Sequence, residues 1–149
     1  MKRLKFILGA ILISGFALTS CSDDDSDSNQ EQQASIEGKW FYAKQGFSAA
    51  GVDNLQNYDG HEAGCTKDNF VLDAAAGSWK EYDYASTTCD ETVVTSTYTR
   101  NGNSITFGTG PDAETYEIQS VTDSSLRIRQ LESTTGGQNI YYVETYTRN

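Results

Sequence analysis

The sequence has little proline, histidine, methionine and basic charge, and these shortages narrow what the chain can do. It contains one Pro, one Met and one His in 149 residues. It has 11 Lys and Arg but 21 Asp and Glu, which gives a formal net charge of −10. An acidic chain without a basic stripe lacks the electrostatic footprint of a nucleic-acid-binding protein. We therefore expect no nucleic-acid partner.

Catalytic and metal-binding patterns are missing as well. No serine lies in a nucleophile motif, and the single His61 stands beside Glu62 in a predicted loop. Most Asp and Glu residues fall on predicted outer faces and turns. The run Asp23-Asp24-Asp25 lacks the spaced ligands and the glycine of a calcium loop. We predict a chain that is not an enzyme and that holds no metal ion or cofactor.

Long apolar runs are absent except at the N terminus. Lys2, Arg3 and Lys5 precede a nearly unbroken apolar run from residue 6 to residue 18. This run is shorter than the roughly 20 apolar residues that span a bilayer. A basic start, a short apolar run and small residues after it are typical of a cleaved secretory signal. We predict that residues 1–20 form this signal.

The end of the signal, Leu18-Thr19-Ser20-Cys21, resembles the lipobox of bacterial lipoproteins. The resemblance implies that the thiol of Cys21 receives a diacylglycerol, that cleavage occurs before it, and that the new amino terminus is acylated. Two or three acyl chains such as palmitate anchor a protein stably. We therefore expect the lipid on Cys21 to hold the protein on the membrane, which is its expected partner. The alternative is an ordinary secretory signal followed by a chance cysteine.

The segment after Cys21 has no aromatic or aliphatic residue up to Gln33. Such a segment cannot bury enough apolar surface to fold, and we predict that residues 21–33 form a disordered acidic tether. Ser22 and the Asp run after it resemble the export signal of Bacteroidetes-type surface lipoproteins. The resemblance implies a lipid-anchored protein on the outer face of the outer membrane. The alternative is a solvated spacer.

Two cysteines remain after Cys21, namely Cys65 and Cys89. In an exported protein two cysteines allow one pairing, so we expect a disulfide between them. The alternative is a metal or redox pair, but the chain has no CxxC motif and only one histidine.

The remaining residues, 34–149, are predicted to form a single all-β domain. They are rich in Thr and Tyr and show no long apolar stripe of helical period. Alternating apolar and polar residues predict eight short strands, and Asn101-Gly102 predicts a type I′ hairpin. Residues 48–60 are predicted to be a loop or short lid. An antiparallel up-and-down meander removes its exposed edges by closing into a small barrel.

Short motifs at both ends of this domain are similar to lipocalin-like domains of bacterial lipoproteins. They are Gly38-Lys39-Trp40 on the first strand, Tyr146-Thr147-Arg148 on the last, and the segment Cys65–Phe70 with the later Cys89. The resemblance implies a lipocalin-like barrel in which Trp40 closes one end. An Arg from the last strand would stack on its ring, with Arg148 as the candidate and Arg100 as the fallback.

Two functional hypotheses follow. In the first, the barrel binds a small apolar or amphipathic ligand in a pocket lined by Trp40, Tyr42, Phe107, Tyr116 and Ile118. In the second, a solid-core barrel acts as a protein-interaction, inhibitor or structural envelope lipoprotein, and its partner is an envelope or host protein. A cavity separates them, since small-molecule pockets usually have roughly 300 Å³ or more.

Overall fold

A computed structural model describes residues 34–149. The predicted signal, Cys21 and the tether to residue 33 lie outside the described residues. Within residues 34–149 the chain forms nine strands and one short 3₁₀ helix, Gly110–Asp112. The strands are β1 (Gly38–Ala49), β2 (Val52–Asn57), β3 (Asn69–Asp73), β4 (Ser78–Ala85), β5 (Asp90–Asn101), β6 (Ser104–Phe107), β7 (Glu114–Val121), β8 (Ser125–Thr135) and β9 (Gln138–Thr147). No helix in this part of the chain is long and apolar enough to cross a bilayer.

Eight of the strands form a closed antiparallel ring. They pair in the order β1, β3, β4, β5, β6, β7, β8 and β9, and β9 pairs again with β1. From β3 to β9, neighbours in the ring are also neighbours in sequence. A longer connection, residues 58–68, leads from β2 to β3. The all-β meander that closes into a small barrel is confirmed. Its strands are not uniformly short, because β1 and β5 each have 12 residues.

The hairpin between β5 and β6 lies where the sequence predicts it, but its turn type differs. Asn101 pairs with Ser104, so Gly102 and Asn103 occupy the turn. Gly102 has a φ of 57°, whereas Asn103 is not among the described residues with positive φ. A glycine with positive φ at the first turn position is the type II′ pattern. The predicted type I′ turn was therefore wrong.

The predicted loop at residues 48–60 was also wrong, because it contains the end of β1 and all of β2. The first half of β1 pairs with β3, and its second half, Lys44–Ala49, pairs with β2. Ala50 and Gly51 connect the two strands with φ values of 52° and 79°. Two successive positive φ angles define a type I′ turn, which suits the twist of a hairpin.

Gly46 allows β2 to lie close against β1. Its φ is 153°, and a Cβ at this position would lie 2.2 Å from the carbonyl oxygen of Asn54. A salt bridge of 3.0 Å from Arg127 on β8 to Asp53 also holds β2. Asp53 is exposed and Arg127 is partly exposed, so this ion pair contributes at most about 1 kcal/mol.

The inward-facing apolar side chains pack into a core at one end of the barrel. Because side chains alternate along a strand, every second residue points inward. The buried cluster consists of Ile36, Trp40, Phe70, Leu72, Tyr98, Ile105, Ile118, Leu126, Ile128 and Tyr146. Ile36 and Trp40 place this cluster at the end where the chain enters β1.

Trp40 is completely buried at this closed end. Its Nε1 donates a hydrogen bond to the carbonyl oxygen of Ile36 at 2.7 Å, and the guanidinium of Arg148 lies 4.0 Å from its ring centre. Arg148 Nη2 also donates to the carbonyl oxygen of Ser35 at 2.8 Å. The structure thus brings Arg148 against Trp40. The fallback residue, Arg100, instead donates to the carbonyl oxygen of Gly102.

A disulfide joins Cys65 to Cys89, with their Cα atoms 5.4 Å apart. The predicted pairing is confirmed. Cys65 lies in the connection between β2 and β3, and Cys89 lies in the turn between β4 and β5. The bond therefore fastens the long connection, residues 58–68, to the turn between β4 and β5.

Candidate functional site

A cavity of about 210 Å³ lies inside the barrel above the packed core. We call it the calyx; it is lined by Tyr42, Phe70, Trp79, Glu81, Phe107, Glu114, Tyr116, Glu144 and Tyr146. Its aromatic rings contact one another. Ring centres are 4.8 Å apart for Phe70 and Tyr146, and 5.4 Å apart for Trp79 and Phe107. These contacts give the calyx a continuous aromatic wall.

Three carboxylates line the calyx, and each accepts a hydrogen bond from a tyrosine. Tyr42 donates to Glu81 at 2.5 Å, Tyr116 to Glu114 at 3.1 Å, and Tyr146 to Glu144 at 2.7 Å. We expected acidic residues mainly on outer faces and turns, and for these three that expectation was wrong. Each glutamate lies two positions from an aromatic residue of the lining, so both point to the same face.

Burial shifts the pKa of three of these groups, Glu144, Tyr42 and Tyr146. Burial raises the pKa of the Glu144 carboxyl, and the charges of Glu81 and Glu114 raise it further, while the hydrogen bond from Tyr146 lowers it. Burial also raises the pKa of Tyr42 and of Tyr146. These phenols therefore stay protonated at neutral pH and serve as hydrogen-bond donors.

At the end of the barrel away from Trp40, the calyx adjoins an open space of about 450 Å³, which we call the mouth. Glu81 lines both. The other residues of the mouth are Tyr58, Gly60, Glu62, Asp68, Asp83, Tyr84, Ala85, Thr92 and Val94. The loop that carries Tyr58, Gly60 and Glu62 forms one side, and β4 and β5 form the other. The mouth is thus a polar and acidic entrance to an aromatic cavity.

Asp68 is the most buried carboxylate of the mouth, with 2% of its surface exposed. One oxygen, Oδ1, accepts a hydrogen bond from the backbone N–H of Tyr84 at 2.9 Å. The other, Oδ2, has no hydrogen-bond donor in the described part of the chain and lies 3.5 Å from Nδ1 of His61. The hydroxyl of Tyr58 also interacts with this carboxylate, since a side-chain hydrogen bond with Asp68 is among the causes that raise the pKa of Tyr58.

His61 attaches the loop to the barrel. Its Nδ1 accepts a hydrogen bond from the backbone N–H of Asp68 at 3.1 Å, so the proton resides on Nε2, which lies 2.9 Å from the carbonyl oxygen of Tyr42. Its ring packs against Tyr58 with ring centres 4.8 Å apart. Burial, followed by the charge of Asp68, raises the pKa of Tyr58 to about 12. Both ring nitrogens of His61 therefore have structural partners.

The structure places the five predicted pocket residues in two different environments. Tyr42, Phe107 and Tyr116 line the calyx. Trp40 and Ile118 lie in the buried core beneath it, because large side chains near the closed end fill the interior. For these two residues the predicted pocket position was wrong. The prediction also missed the three glutamates, Phe70, Trp79 and Tyr146.

Within residues 34–149, no group of three or more His, Cys, Asp or Glu side chains is arranged to hold a metal ion. The three carboxylates of the calyx can accept hydrogen bonds from a molecule that enters the cavity.

The described residues form a closed eight-stranded antiparallel barrel, and Arg148 stacks on Trp40, as the sequence resemblance to lipocalin-like domains implied. No family model matches the chain, and no curated protein matches it. It is similar to the crystal structure of a lipocalin-like protein from Bacteroides uniformis, with 15% identity, a TM-score of 0.46, and coverage of 72% of this chain and 96% of the other. It is also similar to an uncharacterized protein from Bacteroides eggerthii, with 12% identity, a TM-score of 0.46, and coverage of 72% and 98%. A triple mutant of bovine odorant-binding protein has 14% identity and a TM-score of 0.42, with coverage of 75% and 72%.

Proposed function

We propose that this chain is a non-enzymatic binding protein that holds a small amphipathic molecule in the calyx. The observation that supports the proposal is the aromatic cavity of about 210 Å³, which adjoins a mouth of about 450 Å³. The volume of the calyx corresponds to about seven water molecules at roughly 30 Å³ each. The calyx alone is smaller than the roughly 300 Å³ of a usual small-molecule pocket, so the ligand would place a compact head in the calyx and extend into the mouth.

Native mass spectrometry of the full chain, purified in nonionic detergent, tests this proposal. We expect a bound small molecule that is lost on denaturation. The variant Val94→Trp should block the mouth and abolish the adduct, because Val94 lines the mouth. Val93→Trp is the matched control. Val93 precedes Val94 on the same strand, points to the opposite face, and is similarly exposed, at 45% against 49%.

A bare mass, together with no binding of added small molecules, would contradict the proposal. It would favour the alternative, in which the barrel acts through its outer face on an envelope or host protein. An adduct that survives in Val94→Trp but disappears in Val93→Trp would move the binding site to the outer face.

We also propose that the chain is a lipid-anchored lipoprotein of the outer membrane, exposed at the cell surface. The support is the motif Leu18-Thr19-Ser20-Cys21 and the Asp run that follows it. Cys21→Ser should abolish labelling by radioactive palmitate, and persistent labelling would exclude this anchor. Replacing Asp23, Asp24 and Asp25 with Ala should protect the domain from protease added to whole cells. Unchanged digestion would mean that the Asp run is only a spacer.

A further inference from the structure

We propose that the ligand of the calyx is a primary ammonium compound with an aromatic or aliphatic body. This inference rests on the proposed function and specifies the chemical class of its ligand. The ammonium group would lie among Glu81, Glu114 and Glu144, and the body would pack on the aromatic wall.

The charge of the lining supports a cation. Among the described residues, no Lys or Arg lines the calyx or the mouth, whereas six carboxylates do. A neutral apolar ligand would remove these carboxylates from water without pairing them, which is unfavourable. An anion would meet like charges at close range. A cation is the ligand class that compensates for the charge of this site.

The hydrogen-bonding pattern supports a primary ammonium group in particular. Each calyx carboxylate accepts one hydrogen bond from a tyrosine, and an ionised carboxylate has about four acceptor positions. Glu81, Glu114 and Glu144 can therefore each accept another donor. A primary ammonium group has three N–H donors and no acceptor, so it suits a lining whose charged groups only accept hydrogen bonds.

The aromatic wall provides a second kind of contact. A cation within about 6 Å of the face of a Trp or Tyr ring is attracted by the ring quadrupole. Trp79 and three tyrosines line the calyx beside the glutamates. The rings would bind the apolar body, and their faces would add to the attraction for the charged head.

Asp68 adds to the negative charge beside the calyx. It lines the mouth, which shares Glu81 with the calyx, and it carries a buried carboxylate. A side-chain hydrogen bond with this carboxylate is among the causes that raise the pKa of Tyr58. The mouth thus attracts a cation through its charge, in addition to the three carboxylates of the calyx.

Three probes with similar bodies and different charges test the inference. They are phenethylamine, which is cationic at neutral pH, 2-phenylethanol, which is neutral, and 3-phenylpropionate, which is anionic. Binding to the full chain in nonionic detergent is measured by calorimetry at pH 7 and low salt. We expect the amine to bind roughly 10- to 100-fold more tightly than the alcohol. Hydrogen bonds between charged groups are stronger than hydrogen bonds of a neutral group, and the difference in free energy corresponds to an affinity ratio of this order. We expect no binding of the carboxylate.

Glutamine variants locate the ammonium group. Glu81→Gln and Glu144→Gln keep an acceptor for Tyr42 and Tyr146, respectively, but remove one negative charge. Each should lower the amine-to-alcohol affinity ratio by about tenfold or more. Glu132→Gln, at an exposed position of β8, makes the same change in net charge away from the calyx and should leave the ratio unchanged.

The outcomes separate this inference from the proposed function. Equal or tighter binding of the alcohol or the carboxylate would overturn the ammonium assignment but leave a small-molecule calyx. Amine binding that is equally weakened by Glu132→Gln would reflect overall charge and would also overturn it. No binding of any probe at millimolar concentration, combined with a bare native mass, would overturn both. A calcium titration that displaces the amine stoichiometrically would assign the carboxylates to a metal ion instead.

Discussion

The disulfide Cys65–Cys89 should contribute a large share of the stability of this domain. Replacing both cysteines with serine removes the cross-link without leaving a free thiol. The cysteines are 24 positions apart, so the bond closes a loop of 25 residues. In the chain-entropy model, opening such a loop restores about 11.7 cal/mol/K to the unfolded chain, or roughly 3.5 kcal/mol at 25 °C.

The same free energy can be expressed as a change in melting temperature. The unfolding entropy is about 2.1 cal/mol/K per residue near 60 °C, which gives roughly 0.24 kcal/mol/K for residues 34–149. A loss of roughly 3.5 kcal/mol then lowers Tm by about 14 °C. Urea unfolding and thermal scanning, both followed by tryptophan fluorescence, measure the two quantities.

A reducing agent provides the control for this experiment. It should lower the Tm of the natural chain to that of the double serine variant, and it should not affect the variant itself. A loss below about 1 kcal/mol, or about 4 °C, would refute the reasoning. It would mean that His61, Tyr58 and their partners hold residues 58–68 in place in both states, or that the unfolded chain retains structure there.

Three further predictions concern single residues. Since burial raises the pKa of Glu144, the folded state binds its proton more tightly than the unfolded state, and stability falls as pH rises through the folded pKa. Glu144→Gln should therefore raise the urea midpoint at pH 7. It should not raise it below about pH 4.3, the pKa of a glutamate in the unfolded chain. An equal effect at both pH values would contradict this prediction. Arg148→Met should cost about 1–3 kcal/mol of unfolding free energy through the lost ring and backbone contacts, whereas Arg100→Met, the control, should cost less than about 1 kcal/mol. Gly46→Ala should lower hydrogen-exchange protection in β2 by at least about tenfold. A Cβ at this position would overlap the carbonyl of Asn54, and such strain costs about 1–3 kcal/mol. Unchanged protection would show that β2 shifts freely.

Most of the ring could be predicted because its strands alternate clearly between apolar and polar residues. Leu126 and Ile128 point inward while Arg127 and Arg129 point outward, and this pattern fixes β8. Strand β2, with the sequence Val-Asp-Asn-Leu-Gln-Asn, has no such alternation. It forms because the long strand β1 offers a free edge beyond β3, which is a tertiary effect that local sequence does not encode.

The polar part of the calyx could have been found from the same alternation. Glu144 and Tyr146 are two residues apart on β9, and Trp79 and Glu81 are two apart on β4, so each pair shares a face. The general rule that charged residues lie outside led to the wrong assignment. The rule failed here because tyrosine hydroxyls partner these carboxylates inside the barrel. The position of Ile118 could not be predicted, since sequence does not show how far the packed core extends.

The two ends of the barrel differ in what they carry. The chain enters it at the end closed by Trp40, and the C-terminal Arg148 bonds to Ser35 at that same end. A tether that precedes residue 34 therefore attaches opposite the mouth. If Cys21 is anchored as we propose, the tether joins the barrel at the end that leaves the mouth free. A ligand can then reach the calyx from water, which agrees with an acidic mouth better suited to a charged solute than to a lipid tail.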